Sequence, residues 1–571
     1  MKQSLLILPF RNLGFSTEDE FLSDGITEEL ISTLTQQGHL RIASRTSSFY
    51  FKGKNFSLEE IKSKLEVTHI LEGSIRRHAE KIRIAVHLTD TQNGFTKWSE
   101  TFNLAYENLL TVQEEIASCV AKKFTPDTEA QKMPASVPNN DVVAYEYYLK
   151  GQYHYNLYTV DNMRKGVDCF EKAILRQPDF ALAYAGLAHG YLGLGGYEHP
   201  AYYHKAKQAA VKSISLKEKL LEPHLSLVYI QMFYDWDWQG AAQSIQRALE
   251  INVRSAIAHR IKGVYNQVVG RPLQAVEDHE IATKHDPLNV IFLKGLARSL
   301  YLARRYEEAM TEYQKTLELD PTFHPALEGM GFISAAQGNW SEALKYFQRH
   351  QEMVGHPLKG WFGLGYVAGK TGDVDLAYDI LQRHDKRKAE KPHQTLDLNF
   401  ALIYLGLGQF DKVFTYLNNG VDKHHIYTIG ALLSDPVFDE IRNDQRYCRI
   451  LKKIGLDAYA PKRTQNNGIN HILKIQSDTK EKIELVANQV LYIEAEGNYS
   501  RIVWKDQNKL NDRLLRITLS GVVKQINSST LIQTHRSFLV NIKNMDTVFK
   551  EGRTAVLKNT NFNIDVPISR Q

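Results

Sequence analysis

Over the first 124 residues short apolar runs alternate with segments of helical period. Leu5 to Leu8, Ile70 to Leu71 and Ile82 to Leu88 read as strands, and in the last of these Ile82, Ile84, Val86 and Leu88 alternate with Arg83, Ala85 and His87, as in a strand with one buried face. Ile26 to Gln37 and Leu58 to Leu65 carry the helical period. Asp24, Gly25 and Thr27, ahead of Glu28 and Glu29, predict a cap and an acidic first turn for the first helix. This mixture predicts an α/β domain over 1–124. Residues 125–140, with Pro126, Pro134 and Pro138 among polar neighbours, read as a linker.

From about Asp141 the pattern is helical throughout and repeats. Ala241, Ala275, Ala309, Ala343 and Ala377 stand 34 residues apart, Gly263, Ala297, Gly331 and Gly365 keep the same interval, and Asp286-Pro287 recurs as Asp320-Pro321. Small residues at fixed positions let antiparallel helices approach closely, and the Asp-Pro pair closes one repeat before the next. The expected structure is an all-α solenoid of helix pairs over 141–456, with seven or eight repeats and atypical outer ones. Tyr184, Tyr191, Trp340, Phe347 and Trp361 read as packing between helices, and a concave peptide-binding surface is the functional alternative. Residues 457–469, with Pro461, Asn466, Asn467 and Gly468, read as a second linker.

The remaining segment, 470–571, is mainly β. Strands are expected at Ile472 to Ile475, Val490 to Ile493, Ser500 to Trp504, Ser537 to Ile542, Thr547 to Phe549 and Thr554 to Leu557, with one helix over Thr518 to Ile526. The whole chain of 571 residues has 70 basic and 65 acidic side chains, and the excess of five equals that of residues 465–571 alone. The basic character belongs to the C-terminus.

Composition narrows the class. Hydrophobic content of 43% and only 16 prolines describe a chain that folds. Cys119, Cys169 and Cys448 lie far apart without CxxC spacing, so no disulfide framework or cysteine zinc site is expected, and a reducing, cytoplasmic setting is. The apolar stretch Leu5 to Phe10 is too short to span a bilayer, and no leader, anchor or membrane association is expected. No paired acids, nucleophile with base, metal cluster or Gly-rich phosphate loop has recognisable spacing. The histidines His199, His204, His424 and His425 lack carboxylate or cysteine partners at ligand spacing. The expectation is a non-enzymatic chain without cofactor or metal.

Three resemblances follow from particular residues. The run from Arg305 through Tyr306, Ala309 and Tyr313 to Asp320-Pro321 resembles the second helix and closing proline of the tetratricopeptide repeat. Val490-Leu-Tyr-Ile-Glu-Ala-Glu-Gly-Asn-Tyr499, His535-Arg-Ser-Phe-Leu-Val-Asn541 and Val566-Pro-Ile-Ser-Arg570 together resemble the LytTR class of bacterial DNA-binding domain. Leu6 to Leu13, Phe21 to Leu30, Ala43 to Phe49 and Leu71 to Arg77 resemble the TolB-type α/β domain, which in bacteria precedes repeats and assorted output domains. In that region Asp24-Gly25, Arg45 to Ser48 and Glu72 to Ser74 form either a polar pocket at strand ends or ordinary caps and turns.

The second resemblance implies loops that enter successive major grooves of double-stranded DNA on paired sites. It puts Asn498 and Arg501 on the first DNA-facing loop, Arg536 on the second and Arg570 on the C-terminal one. Arginine can pair with guanine O6 and N7, and a lysine such as Lys543 can neutralise phosphate. His535 and Asn541 either brace the fold or touch DNA, and Tyr499 is expected in the core. The implied function is a bacterial sequence-specific transcriptional regulator. Its DNA reader would be controlled by the N-terminal and repeat regions, with protein partners in the repeat groove and a homodimer on DNA. The alternative is a protein scaffold in which the basic C-terminal domain is only a tether.

Overall fold

The computed structural model describes the chain except residues 1–2, 15–18, 37–39, 125–140, 198, 355–360, 391–395, 425–429, 431, 461–471, 487–488, 507–508, 526–530, 542–543, 546, 552–553, 560–561, 563 and 569–571. It divides into two compact units, Met1–Ala460 and Pro461–Gln571. Both expected linkers fall largely outside the described residues, although 457–460 still belong to the first unit, where Tyr459 and Ala460 pack against its core.

The first unit opens with β1 (Ser4–Ile7), β2 (Arg11–Asn12), α1 (Glu20–Gln36), β3 (Arg41–Ile42), α2 (Arg45–Phe49), α3 (Leu58–Leu65), β4 (His69–His78), β5 (Lys81–Asp90), β6 (Thr96–Ala105) and α4 (Leu109–Lys122). The sheet runs β3-β1-β4-β5-β6, with β2 on β4; β1 is parallel to β3 and β4, and β4, β5 and β6 form an antiparallel meander. The mixed sheet arises because β4 and β5 are joined by a tight turn, whereas β1 reaches β4 only through the intervening helices. Helix α3 is capped reciprocally by Ser57 and Glu60.

The first helix departs from expectation. It starts at Glu20 because Phe21 and Leu22 are needed in the core, so Asp24, Gly25 and Thr27 lie inside the helix rather than ahead of it. The Thr27 hydroxyl donates to the Ser23 carbonyl (2.7 Å) and accepts from the Phe10 N–H (3.0 Å). The polar groups around it are paired: Asp24 with Lys52 (2.6 Å), Arg45 with Glu28 (2.7 Å), and Ser44 caps α2 through the Ser47 N–H.

Eight helix pairs follow among the described residues: α5 (Val142–Tyr155) with α6 (Val160–Arg176), α7 (Ala181–Tyr197) with α8 (Ala201–Leu216), α9 (Leu221–Ile230) with α10 (Trp238–Ile251), and α11 (Ala256–Val268) with α12 (Pro272–His285). Then come α13 (Val290–Leu302) with α14 (Tyr306–Leu319), α15 (Pro325–Ala336) with α16 (Trp340–Val354), α17 (Trp361–Thr371) with α18 (Val374–Glu390), and α19 (Asp397–Gly406) with α20 (Phe410–Asp422). The five alanines at 34-residue spacing are all fully buried. Of the aromatics, Phe347 is buried with Trp340 and Trp361 half-buried against the same core, and Tyr191 is buried in the core shared with the α/β region.

The packing that sets the repeat places one large ring between two glycines. A Cβ on Gly331 or Gly363 would stand 2.7 or 2.3 Å from the Phe347 ring, one on Gly263 or Gly295 2.3 or 2.4 Å from His279, and one on Gly151 or Gly186 2.6 or 2.5 Å from Phe170. Each ring of a second helix thus seats against its own first helix and against the first helix of the next pair.

Two further contacts close the unit. The α/β region docks on the repeats, with Ser47 donating to Asp286 (2.6 Å), Asn289 to Thr46 (3.1 Å) and Asn156 to Glu28 (3.0 Å), and one apolar core runs from β4 and β5 through α1 into the first helix pairs. After α20 the chain turns back through residues 432–460, including α21 (Gln445–Lys453). Asp435 receives Arg298 (2.5 Å) and Tyr301 (2.9 Å), Ser434 donates to the Gln267 carbonyl (3.2 Å), and Trp238 Nε1 donates to the Ile454 carbonyl (2.7 Å). Leu432, Phe438, Tyr447 and Leu456 are buried beneath it. The C-terminal ends of α11 and α13 are therefore covered by the chain itself.

The second unit contains β7 (Ile472–Gln476), β8 (Lys482–Val486), β9 (Val490–Glu496), β10 (Tyr499–Asp506), β11 (Lys509–Leu515), α22 (Leu519–Gln525), β12 (Leu531–His535), β13 (Phe538–Asn541), β14 (Thr547–Glu551), β15 (Thr554–Asn559) and β16 (Ile564–Ile568). A five-stranded antiparallel sheet, β11-β10-β9-β13-β12, is covered on both faces. Ile493, Ile502 and Leu539 pack toward β7, β8 and α22; Leu491, Val503 and Val540 pack toward Ile564 and Val566 of β16. Burial on two sides accounts for the unbroken apolar run at Val490 to Ile493.

Asp435→Ala should destabilise the first unit by roughly 2–3 kcal/mol, because it strands the half-buried Arg298 guanidinium; denaturant unfolding of the full chain measures this. Burial holds the His279 imidazole down at about 4, so its contribution is complete above pH 6.5 and is lost as pH falls through 4. His279→Phe should flatten that acid branch by on the order of 3 kcal/mol in a pH series of unfolding curves.

Candidate nucleic-acid interface

Strand pairing decides where the motif residues of the second unit end up. The β9–β10 hairpin closes through Gly497 and Asn498, with Glu496 paired to Tyr499, and Gly497 takes the positive φ (63°) that a two-residue turn of type II′ needs at its first central position. The β12–β13 hairpin closes through Arg536 and Ser537, with His535 paired to Phe538. Because β13 is antiparallel to β9, with Phe538 opposite Glu494, this second turn lies at the same end of the sheet as the first. The Ala495 N–H donates to the Ser537 carbonyl (2.8 Å), which ties the two together. Two strand spacings, about 10 Å, separate them.

Strand β16 joins the same end, since the Thr534 hydroxyl donates to the Pro567 carbonyl (3.4 Å). Three segments distant in sequence therefore converge at one edge. Asn498 and Arg536 are exposed there. His535 uses Nδ1 to accept the Ser537 N–H (3.2 Å), so it braces the second turn. Asn541 is fully buried at the opposite end of β13 and serves the fold. Lys543 and Arg570 lie outside the described residues.

Tyr499 departs from expectation. It is 41% exposed, because the next residue, Ser500, takes the inward position and donates to the Ile517 carbonyl (2.8 Å). Parity along β10 then puts Tyr499 and Arg501 on the other face.

Arg501 is anchored by two carboxylates that sequence reasoning did not connect to it. Its Nε donates to Glu496 Oε1 (2.5 Å), Nη2 to Glu496 Oε2 (3.3 Å), and Nη1 to Asp512 Oδ2 (2.6 Å). The hydrogen bonds from Arg501 pull the Glu496 carboxyl below its ordinary range, while burial raises that of Glu494 beside it. Glu496 lies inside the recognised motif, but Asp512 is brought in only by the β10–β11 pairing. No group of acidic, histidine or cysteine side chains able to hold a metal occurs among the described residues, and no described helix is long and apolar enough to cross a membrane.

Comparison with known proteins bears on two regions. Residues 469–571 match the LytTr DNA-binding domain, and residues 268–322 match a tetratricopeptide repeat. A protein named putative adenylate cyclase 3, from Rhizobium meliloti (strain 1021), is 35% identical over 119 residues, 21% of this chain and 20% of that protein. The type IV pilus assembly protein PilF of Pseudomonas aeruginosa is 31% identical over 130 residues, 21% of this chain and 50% of that protein. The chain thus spans between a fifth and half of these curated relatives. Among solved structures, PilW, a type IV pilus biogenesis factor, is 18% identical over 38% of this chain and 94% of its own (TM-score 0.32). A thermophilic tetratricopeptide protein of Thermus thermophilus is 18% identical over 32% and 94% (TM-score 0.29). The protein is multidomain: an N-terminal mixed-sheet region, a central tetratricopeptide solenoid and a strand-rich C-terminal region that matches the LytTR DNA-binding domain.

Proposed function

We propose that this chain is a sequence-specific DNA-binding transcriptional regulator whose C-terminal region reads duplex DNA. The observation that carries the reading is the convergence of the Gly497-Asn498 and Arg536-Ser537 turns at one end of the sheet, within the region that matches a DNA-binding family. Asn498, Arg501 and Arg536 would read base edges, His535 would fix the second turn, and Lys543 and Arg570 would add phosphate and groove contacts. Two copies on paired half-sites would double the phosphate contacts and the dependence on salt.

The N-terminal sheet is read as a TolB-like domain that, with the repeats, governs the DNA reader. Protein partners would dock on repeat surface left open by residues 432–460, since those residues already cover the ends of α11 and α13. No catalytic step, cofactor or metal is invoked. A cytoplasmic location follows from the proposed DNA partner.

Selection from a randomised duplex pool with the full chain should enrich a defined, spaced sequence. Arg536→Ala should weaken binding to it by about 1–3 kcal/mol, with specificity relaxed at one base position. Salt-sensitive binding without enrichment would instead favour the scaffold with a basic tether.

A further inference from the structure

An exposed arginine on a DNA-binding surface ordinarily serves two purposes. It attracts phosphate whatever the sequence, and it can present a planar fork to a guanine. Arg501 is arranged so that these purposes separate. Its guanidinium carries five N–H donors, of which Glu496 takes two and Asp512 one. Two donors remain, the number that one bidentate contact with O6 and N7 uses.

The charge around it is also unusual for a phosphate contact. Glu494 is paired directly across from Arg501 on β9, and Glu496 and Asp512 hold it from either side. Three carboxylates surround one guanidinium, with Tyr492 and Tyr499 further polar neighbours on this face. Phosphate gains nothing from approaching such a group, whereas a base edge still meets an oriented fork. Most exposed ion pairs contribute little, but here one arginine joins three strands through three hydrogen bonds, the network geometry in which such pairs count.

We propose that Glu496 and Asp512 are positioning residues for DNA specificity: they orient the Arg501 guanidinium for one base contact and cancel its sequence-independent pull on phosphate. This rests on the reading of the C-terminal region as a DNA reader.

The test measures dissociation constants of the full chain for the selected duplex and for a scrambled duplex over a range of salt. It compares wild type with Glu496→Gln, Asp512→Asn, the double variant and Arg501→Lys. Asp506→Asn, at the far end of β10, controls for simple removal of negative charge. The double variant should bind the scrambled duplex about tenfold more tightly at low salt, steepen the salt slope by about one, and reduce the ratio of selected to scrambled affinity about tenfold. Arg501→Lys should lose that ratio even with both acids present, and Asp506→Asn should leave it unchanged. Variants that shift both duplexes equally, or move neither slope nor ratio, overturn this inference alone. A wild-type chain that binds neither duplex overturns the DNA-binding reading and this inference with it.

Discussion

The large ring held between two glycines joins three of the eight helix pairs to the pair that follows, and the stacking of the solenoid depends on it there. Phe347, His279 and Phe170 each touch the first helix of their own pair and that of the next, so a single side chain sets the spacing within a repeat and the stacking between repeats. The tolerance is small: a methyl group on any of these glycines would stand under 3 Å from a ring, and close-packed interiors do not absorb such an intrusion without shifting backbone. With the stack fixed, the α/β region has a rigid surface on which to dock, and residues 432–460 have a fixed set of helix ends to cross.

Much of this was legible in the amino-acid order, and the exceptions have physical causes. The five alanines at 34-residue spacing are buried without exposure, and Leu58–Leu65 forms a helix at the limits that its period indicates. The start of the first helix was hidden because Asp24, Gly25 and Thr27 look like a cap, whereas burial of Phe21 and Leu22 extends the helix over them. The return of the chain through 432–460 has no local signature, since Asp435 meets Arg298 and Trp238 meets Ile454 only after the solenoid has curved.

In the C-terminal region the motifs marked the turns, and strand pairing supplied what they lacked. Strand β11 carries no sequence signal because Lys509–Leu515 is an edge strand, largely exposed and without the alternation of a half-buried one. Asp512, and with it the environment of Arg501, becomes visible only through the pairing of that strand. Tyr499 differs from its expected core position by one step of parity, the smallest shift a strand permits and one that moves a side chain to the opposite face.

The seam formed by residues 432–460 changes how the solenoid would respond to load. In an open stack each pair touches only its neighbours, so tension on one end peels repeats away singly. Here the last described residues of the unit run back along α11, with Tyr459 against Tyr265 and Ile454 bonded to Trp238. A pull at Ala460 would therefore load the middle of the stack in shear, across many contacts at once, and the final repeats would be shielded from it. Mechanically, the first unit is a closed loop rather than a spring.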